Sequence, residues 1–194
     1  MEQRAVMAEP IIDDSVIAAC QEGDREAFRM LFETYKDRVF SIAVYSFGGD
    51  RAVASDVSQQ VFLKLMTTIR QFRRDSAFST WLYRIVVNTC TDEHRKRRRF
   101  LAFDDHIAID RIEDRKPQEK AFARLEVSDS VQAAIKELKP KLRMAILLKY
   151  VEGLSYEEIA AVLGCSTGTV ASRLNRGHLK LARKLSHLRD QVLE

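Results

Sequence analysis

The sequence predicts an all-α protein with two helical domains joined by a linker, and three observations support that prediction. Glycine and proline are scarce, with 7 and 3 copies among 194 residues, and no stretch alternates apolar and polar residues as a half-buried strand does. Apolar residues recur instead at helical spacing in two blocks, residues 1–99 and 123–194. Between these blocks, residues 100–122 are acidic and weakly periodic, which is typical of a linker.

The first block is predicted to contain four helices, the first three of which begin after an aspartate. Their caps are Asp13 or Asp14 for a helix over 13–22, Asp24 for the second helix and Asp50 for the third. Glycines stop two of these helices, at Gly23 and at the pair Gly48-Gly49. The fourth helix is expected from about Phe78 to Arg97, and it leads into the basic run Arg95 to Arg99.

Apolar stripes on the last three of these helices predict one core. The second helix contributes Phe28, Leu31, Phe32, Tyr35, Val39, Phe40 and Ala43. The third contributes Val53, Val57, Val61, Phe62, Leu65 and Ile69. The fourth contributes Trp81, Leu82, Ile85 and Val86, and Trp81 fits either this core or a platform on which a base stacks.

The second block is predicted to begin with two helices around a proline turn. The first runs from Leu125 to Leu138, and the turn Lys139-Pro140 starts the next, because proline suits the first turn of a helix. That helix extends to Gly153, and its apolar residues are Leu142, Ala145, Ile146, Leu147 and Tyr150.

A helix-turn-helix follows. Ser155 and Glu158 have the spacing of a capping box, Gly164 suits the stop of the first helix, and Ser166 or Thr167 can cap the second. Polar and basic side chains that bind phosphates and base edges point outward from the second helix: Thr169, Ser172, Arg173, Asn175 and Arg176. An ordinary helical hairpin with a solvated basic face is the alternative.

Charge and cysteine placement limit the possible functions. The net charge of +4 is mild, but residues 131–194 carry 11 basic and 6 acidic side chains, whereas residues 100–130 carry 5 and 8. This asymmetry favours contact between the ends of the chain and an anionic polymer. The cysteines Cys20, Cys90 and Cys165 are far apart in sequence, so they form no zinc or redox motif and are expected to be small buried residues. No signal peptide or membrane span is expected, and a cytoplasmic location follows from that expectation.

Three segments together resemble the extracytoplasmic-function group of bacterial sigma factors, the promoter-reading subunits of RNA polymerase. Ser55 to Leu65 is similar to the helix with which that family binds polymerase. Arg74 to Asn88 is similar to its −10 reading segment, and Gly153 to Leu174 is similar to its −35 reading motif. The three segments occur in the family's order, and the resemblance covers about residues 13–188.

The resemblance implies that the chain is not an enzyme but binds core RNA polymerase and promoter DNA. It implies no cofactor, metal ion or small-molecule substrate, and it implies an inhibitory anti-sigma partner, which in this family is often at the membrane. The residues expected to contact core polymerase are Asp56, Gln59 and Gln60. Those expected at the −35 element are Thr167, Thr169, Ser172, Arg173, Asn175 and Arg176.

The −10 element is expected to be read as a single strand. Phe72 or the loop backbone after it walls a pocket for a base taken out of the stack. The residues expected at this element are Phe72, Arg73, Arg74, Ser76, Arg84, Asn88 and Asp92. The basic run ending at Arg99 either grips duplex phosphates or completes the helix dipole, and the acidic linker either threads the polymerase cleft or is a plain tether.

Three positions depart from the family pattern. Gln60 stands where glutamate is usual, Ala171 where a basic residue is usual, and Gly177 where alanine is more common. Glycine inside a helix costs about 1 kcal/mol relative to alanine, so Gly177 is expected to weaken the last helix.

Two other function classes are compatible with parts of the sequence. A free-standing helix-turn-helix regulator would have the same last block, but the first block has no features of a ligand-binding or receiver domain. A nucleic-acid enzyme is disfavoured because the four histidines lack partners at metal or catalytic spacing: His94, His106, His178 and His187.

Overall fold

The computed structural model describes residues 12–103 and 130–186, and throughout these two ranges the chain forms helices and connecting turns without a strand. The first block contains α1 (Asp14–Glu22), α2 (Arg25–Ser46), α3 (Arg51–Thr68), a 3-10 turn (Ile69–Gln71) and α4 (Phe78–Phe103). The second contains α5 (130–136), α6 (Pro140–Tyr150), α7 (Tyr156–Leu163) and α8 (Thr167–Lys184). The predicted all-α class is confirmed.

Aspartate caps begin the first three helices, as predicted. The Asp13 carboxylate accepts a hydrogen bond from the Ser15 amide at 2.7 Å, so Asp13 is the cap of α1. Asp24 and Asp50 cap α2 and α3 in the same way. The chain leaves α1 through Gly23, whose φ of 96° is a left-handed conformation that glycine adopts without strain.

Two predicted helix ends are wrong. Helix α4 continues to Phe103 rather than ending near Arg97, because no glycine or proline interrupts its basic run and Arg and Lys are good helix formers. Helix α6 ends at Tyr150 rather than at Gly153, and α8 ends at Lys184. Of the predicted linker 100–122, the first four residues belong to α4, and residues 104–122 lie outside the described ranges. The beginning of the predicted 125–138 helix lies outside them as well.

One continuous core includes residues of both blocks. Helix α6 is buried along almost its whole length, from Leu142 to Leu148, because α2, α7 and α8 all pack against it. Most of the predicted stripes are buried, but Phe32 and Tyr150 are 37% and 61% exposed. Phe32 packs edge-on against Phe62 at the surface, with ring centroids 4.7 Å apart, and Tyr150 hydrogen-bonds His178 at 2.8 Å.

The two blocks dock through α4 against α7 and α2 against α6. Charged and polar side chains are buried at this contact, and every buried side-chain N or O atom in the described ranges has a hydrogen-bond partner. None of the described helices combines the length and the apolar character that crossing a membrane requires.

Candidate nucleic-acid interface

The helix-turn-helix has the local geometry that its sequence predicts. The Ser155 hydroxyl accepts from the Glu158 amide at 3.1 Å, and the Glu158 carboxylate accepts from the Ser155 amide at 2.7 Å, so the capping box is complete. Gly164 ends α7 in the left-handed region at φ 59°. Of the two candidate caps for α8, Ser166 is the one used, because its hydroxyl accepts from the Thr169 amide at 3.2 Å.

The outer face of α8 carries the predicted −35 side chains. Val170 and Leu174 are buried on the opposite side of the helix. The Nε of Arg176 donates to the Ser172 carbonyl at 3.1 Å, which lays the guanidinium along the helix surface. Four of the predicted residues are exposed and two are partly buried: Thr167, Ser172, Asn175 and Arg176, then Thr169 and Arg173.

Gly177 lies where α8 crosses α6. A Cβ added at this position would lie 3.0 Å from Cγ1 and 3.1 Å from Cδ1 of Ile146, which is 4% exposed. These distances are shorter than ordinary contacts, so glycine at this position allows the two helices to approach closely. Gly177 therefore has a packing role that the sequence did not reveal, in addition to the expected cost in helix propensity.

The predicted −10 loop lies between the 3-10 turn and α4. Phe72 is 7% exposed and packs on Phe78 and Trp81, with ring centroids 5.4 Å away in each case. The buried Phe72 ring therefore supports the loop from its core side. The loop backbone after Phe72 is the part that can form a wall of the base pocket. Trp81 is partly buried in the same aromatic group, which agrees with a core position. Arg73, Arg74 and Ser76 are exposed.

Three exposed polar residues continue this surface along α4, spaced four residues apart. Arg84 donates from Nη2 to the Ala161 carbonyl of α7 at 2.8 Å, so in this conformation its guanidinium is bound to the second block. Asn88 is exposed on the next turn. Asp92 is exposed on the turn after that, with its carboxylate 3.8 Å from Lys64 and 3.9 Å from Arg95. Within the basic run, Arg97 pairs with Glu93 at 3.2 Å and Asp50 at 3.5 Å.

The predicted polymerase-binding residues Asp56, Gln59 and Gln60 are exposed on α3. Gln59 borders a groove of about 530 Å³ between α2 and α3. Apolar side chains that sequence reasoning assigned to the core or passed over line this groove: Phe32, Phe40, Phe62, Leu63 and Met66. The available signal was that Leu63 and Met66 lie outside the buried stripe of their helix, where they are 57% and 58% exposed.

Sequence reasoning also missed a buried charged cluster between the blocks. The carboxylate of Glu152, two residues after the end of α6, lies 3.4 Å from the Arg38 guanidinium of α2 and accepts a hydrogen bond from the Tyr83 hydroxyl of α4. Burial raises the pKa of Glu152, while Tyr83 and Arg38 act in the opposite direction. Burial likewise raises the pKa of the Tyr83 hydroxyl. Arg38 lies within an apolar stripe of α2, and that position was the available signal.

A second buried arginine, Arg143 of α6, also joins the blocks. It donates to the Ser46 carbonyl of α2 and to the Ile135 and Leu138 carbonyls, the last two at 3.0 Å each. His94 of α4 lies beside it, 3.2 Å from the Ser46 hydroxyl and stacked on Phe47. Burial lowers the pKa of His94, and the positive charge of Arg143 lowers it further.

Family models match both blocks. The model described as "Sigma-70 region 2" matches residues 31–100, and that described as "Sigma-70, region 4" matches residues 128–181. The first match therefore begins after α1. The second contains α7 and α8 up to residue 181.

Curated relatives are similar over nearly the full chain. An RNA polymerase sigma-H factor of Pseudomonas aeruginosa is 36% identical over 91% of this chain and 95% of its own length. An ECF RNA polymerase sigma-E factor of Escherichia coli K12 is 36% identical over 94% of this chain and 98% of its own length.

Solved structures show the same fold. The sigma factor RpoE of Bartonella quintana, in complex with the anti-sigma factor NepR, aligns with a TM-score of 0.69 at 25% identity, over 82% of this chain and 96% of that one. CnrH in complex with the cytosolic domain of CnrY aligns with a TM-score of 0.66 at 28% identity, over 90% and 97%.

Proposed function

The chain belongs to the sigma-70 family, within its extracytoplasmic-function group of RNA polymerase sigma factors, and we propose that its two blocks read separate promoter elements while bound to core polymerase. We assign residues 1–99 to polymerase binding and −10 recognition, residues 123–194 to −35 recognition, and residues 100–122 to the connection between them. The observation that carries this proposal is that the chain has two polar surfaces of the kind that binds DNA. One belongs to the capped helix-turn-helix, and the second lies on α4.

The −35 element is read by the exposed face of α8 in the major groove. Ser172, Asn175 and Arg176 are on this face, and Arg176 is long enough to bind guanine with two hydrogen bonds. Thr167 and Thr169, at the amino end of α8, contact phosphate, since unpaired backbone amides and the helix dipole favour an anion there. Arg173 is partly buried and contributes at the edge of the surface.

The −10 element is read after the duplex opens. Arg73, Arg74 and Arg84 bind the backbone of the single strand, Asn88 and Asp92 face base edges, and the loop around Ser76 receives an unstacked base. Arg84 takes up this role only after it leaves the Ala161 carbonyl. We further propose that the two blocks, which are docked in the conformation described above, separate on the promoter.

Core polymerase binds the surface formed by α2 and α3. Asp56, Gln59 and Gln60 supply hydrogen bonds, and the adjacent apolar groove supplies the area that a stable protein interface needs. We place the protein in the cytoplasm with the polymerase. The complexes of RpoE with NepR and of CnrH with CnrY support an anti-sigma partner for this chain too.

In vitro transcription with purified core polymerase and a library of randomised promoters tests the proposal. The expected result is initiation from templates that share both a −10 and a −35 sequence, with no initiation by core enzyme alone. If the protein instead fails to bind core polymerase and binds duplex DNA as a dimer, it is a free-standing helix-turn-helix regulator.

A further inference from the structure

Helix α1 contacts the −10 loop, although it precedes residue 31, where the match to the region 2 family model begins. The contact runs through Gln21, which is partly buried near the end of the helix. Its Nε2 donates to the Ile69 carbonyl at 3.0 Å and to the Phe72 carbonyl at 2.9 Å. A side-chain amide nitrogen has two hydrogens, so these bonds engage both of them with the backbone that leads into the loop.

The two carbonyls are at the start and at the exit of the 3-10 turn. The Ile69 carbonyl also accepts from the Phe72 amide at 3.1 Å, and the Phe72 ring is fixed in the aromatic group below. In return, Arg70 within the turn donates from Nε to the Gln21 carbonyl at 3.1 Å. Three hydrogen bonds therefore tie this turn to the last part of α1.

Helix α1 makes one further contact inside the loop. Arg74 has a φ of 63°, a left-handed conformation that is unfavourable for a side chain of its size. Its Nη2 donates to the Asp14 carbonyl at the other end of α1, at 3.3 Å. Both the base of the loop and its strained residue are therefore bonded to a helix that presents no predicted DNA contact of its own.

We propose that Gln21 is a positioning residue that holds the loop 73–76 in the shape that captures a base of the opened −10 strand. This role rests on the function proposed above. Gln21 does not touch DNA and acts through the Phe72 carbonyl. A loop that is already ordered avoids the entropy cost of ordering when the base enters, so capture is tighter and more selective.

Substitution of Gln21 separates this role from general stability. Gln21→Glu keeps the shape of the side chain but turns its donor into an oxygen that faces two carbonyl oxygens. Gln21→Leu removes the donors without adding charge, and it serves if the glutamate variant folds poorly. Glu22→Gln changes the next, exposed residue of α1 and is the matched control.

The measurement uses holoenzyme with fork-junction promoter probes that carry each of the four bases at the captured position of a single-stranded −10 element. For both Gln21 variants, the preference for the best base over the other three is expected to fall about tenfold, since two hydrogen bonds that order the loop are lost. Affinity for core polymerase and for a duplex −35 probe is expected to stay within about twofold of wild type. The Glu22→Gln protein is expected to match wild type throughout.

Unchanged base preference in both Gln21 variants overturns the positioning role. An equal loss of affinity for every probe and for core polymerase also overturns the positioning role, because that pattern indicates that Gln21 is only a structural residue. If wild-type holoenzyme itself shows no base preference, the proposed −10 reading function is wrong, and the role of Gln21 is overturned with it.

Discussion

Arg84 donates from Nη2 to the Ala161 carbonyl at 2.8 Å, a bond that joins the predicted −10 surface to the first helix of the helix-turn-helix. While this bond is made, Nη2 of Arg84 does not contact a DNA phosphate. The same contact between the blocks buries the cluster of Arg38, Tyr83 and Glu152. The docked arrangement therefore has a polar centre whose strength can be measured.

Glu152 is the residue whose removal is expected to weaken docking most. Glu152→Ala leaves a cavity and removes the carboxylate that faces the buried guanidinium of Arg38. The free energy of unfolding is therefore expected to fall by about 3 kcal/mol. Glu152→Gln keeps the shape and still accepts from Tyr83, so its expected cost is about 1 kcal/mol. Urea denaturation measures both costs, and small-angle scattering of the folded proteins reports whether the blocks separate.

The matched control for this cluster is Glu157→Gln, an exposed carboxylate in the same block. Its expected effect is within about 0.5 kcal/mol. Equal stabilities for the alanine variant and this control would show that the buried cluster does not hold the blocks together.

His94 is expected to make the docked form sensitive to mild acid. Burial, with Arg143 next to the ring, lowers the pKa of His94 from 6.5 in the folded protein. As the pH falls below 6.5, His94 binds a proton in the unfolded chain before it does so in the folded protein. The stability that neutral His94 contributes is therefore present above pH 6.5 and is lost as the pH falls toward the lower pKa of the folded protein. Urea denaturation from about pH 7 to pH 5 is expected to show a steeper loss for wild type than for His94→Gln.

The comparison with His94→Gln also removes the contribution of Glu152, which both proteins carry. The pKa of Glu152 is raised, so its contribution has the opposite sign and decreases as the pH rises above 4.5. Parallel pH profiles for wild type and His94→Gln would contradict the assignment to His94.

Structural features that depend on contacts between residues close in sequence could be predicted. Ser155 with Glu158, and Asp50 with Val53, are contacts within one helical turn, so their spacing alone identified the helix starts. The four-residue spacing of Arg84, Asn88 and Asp92 likewise implies that they share one face of a helix. Exposure of Phe32 was not predictable, because it fits the periodicity of α2 as well as buried Leu31 does.

Contacts between distant parts of the chain were not predicted. Arg38 and Glu152 are 114 residues apart in sequence, and the length of the intervening chain gives no indication that they meet. Gln21 was missed for the same reason, since its partners are 48 and 51 residues away. A charged residue within an apolar run, such as Arg143, is the one sequence signal that such a contact offers.

Gly177 and Ile146 are expected to be energetically coupled. Gly177→Ala gains about 1 kcal/mol of helix propensity, but its Cβ crowds Ile146, and overpacking of this kind costs about 1–3 kcal/mol. The expected net effect is a loss of up to about 2 kcal/mol. In an Ile146→Ala background both Cγ1 and Cδ1 are absent, so the same glycine-to-alanine change is expected to stabilise the protein. Denaturation of the four proteins in a double-mutant cycle gives the coupling, and additive effects would rule it out.

Two arginines are expected to contribute to promoter binding in different ways. Arg176→Ala removes a base contact worth about 1–3 kcal/mol of discrimination, so holoenzyme should lose affinity only for promoters that carry the preferred −35 base. Arg98→Ala removes a phosphate contact in the basic run, so affinity should fall equally on all promoters and the slope of log affinity against log salt should decrease by about 1.

Arg183→Ala is the matched control, since it removes an exposed charge from the last turn of α8. Duplex promoters with each −35 base, titrated with holoenzyme at several salt concentrations, separate the two effects. Losses that are equal and independent of sequence for Arg176→Ala and Arg98→Ala would mean that α8 contacts only the DNA backbone at this position.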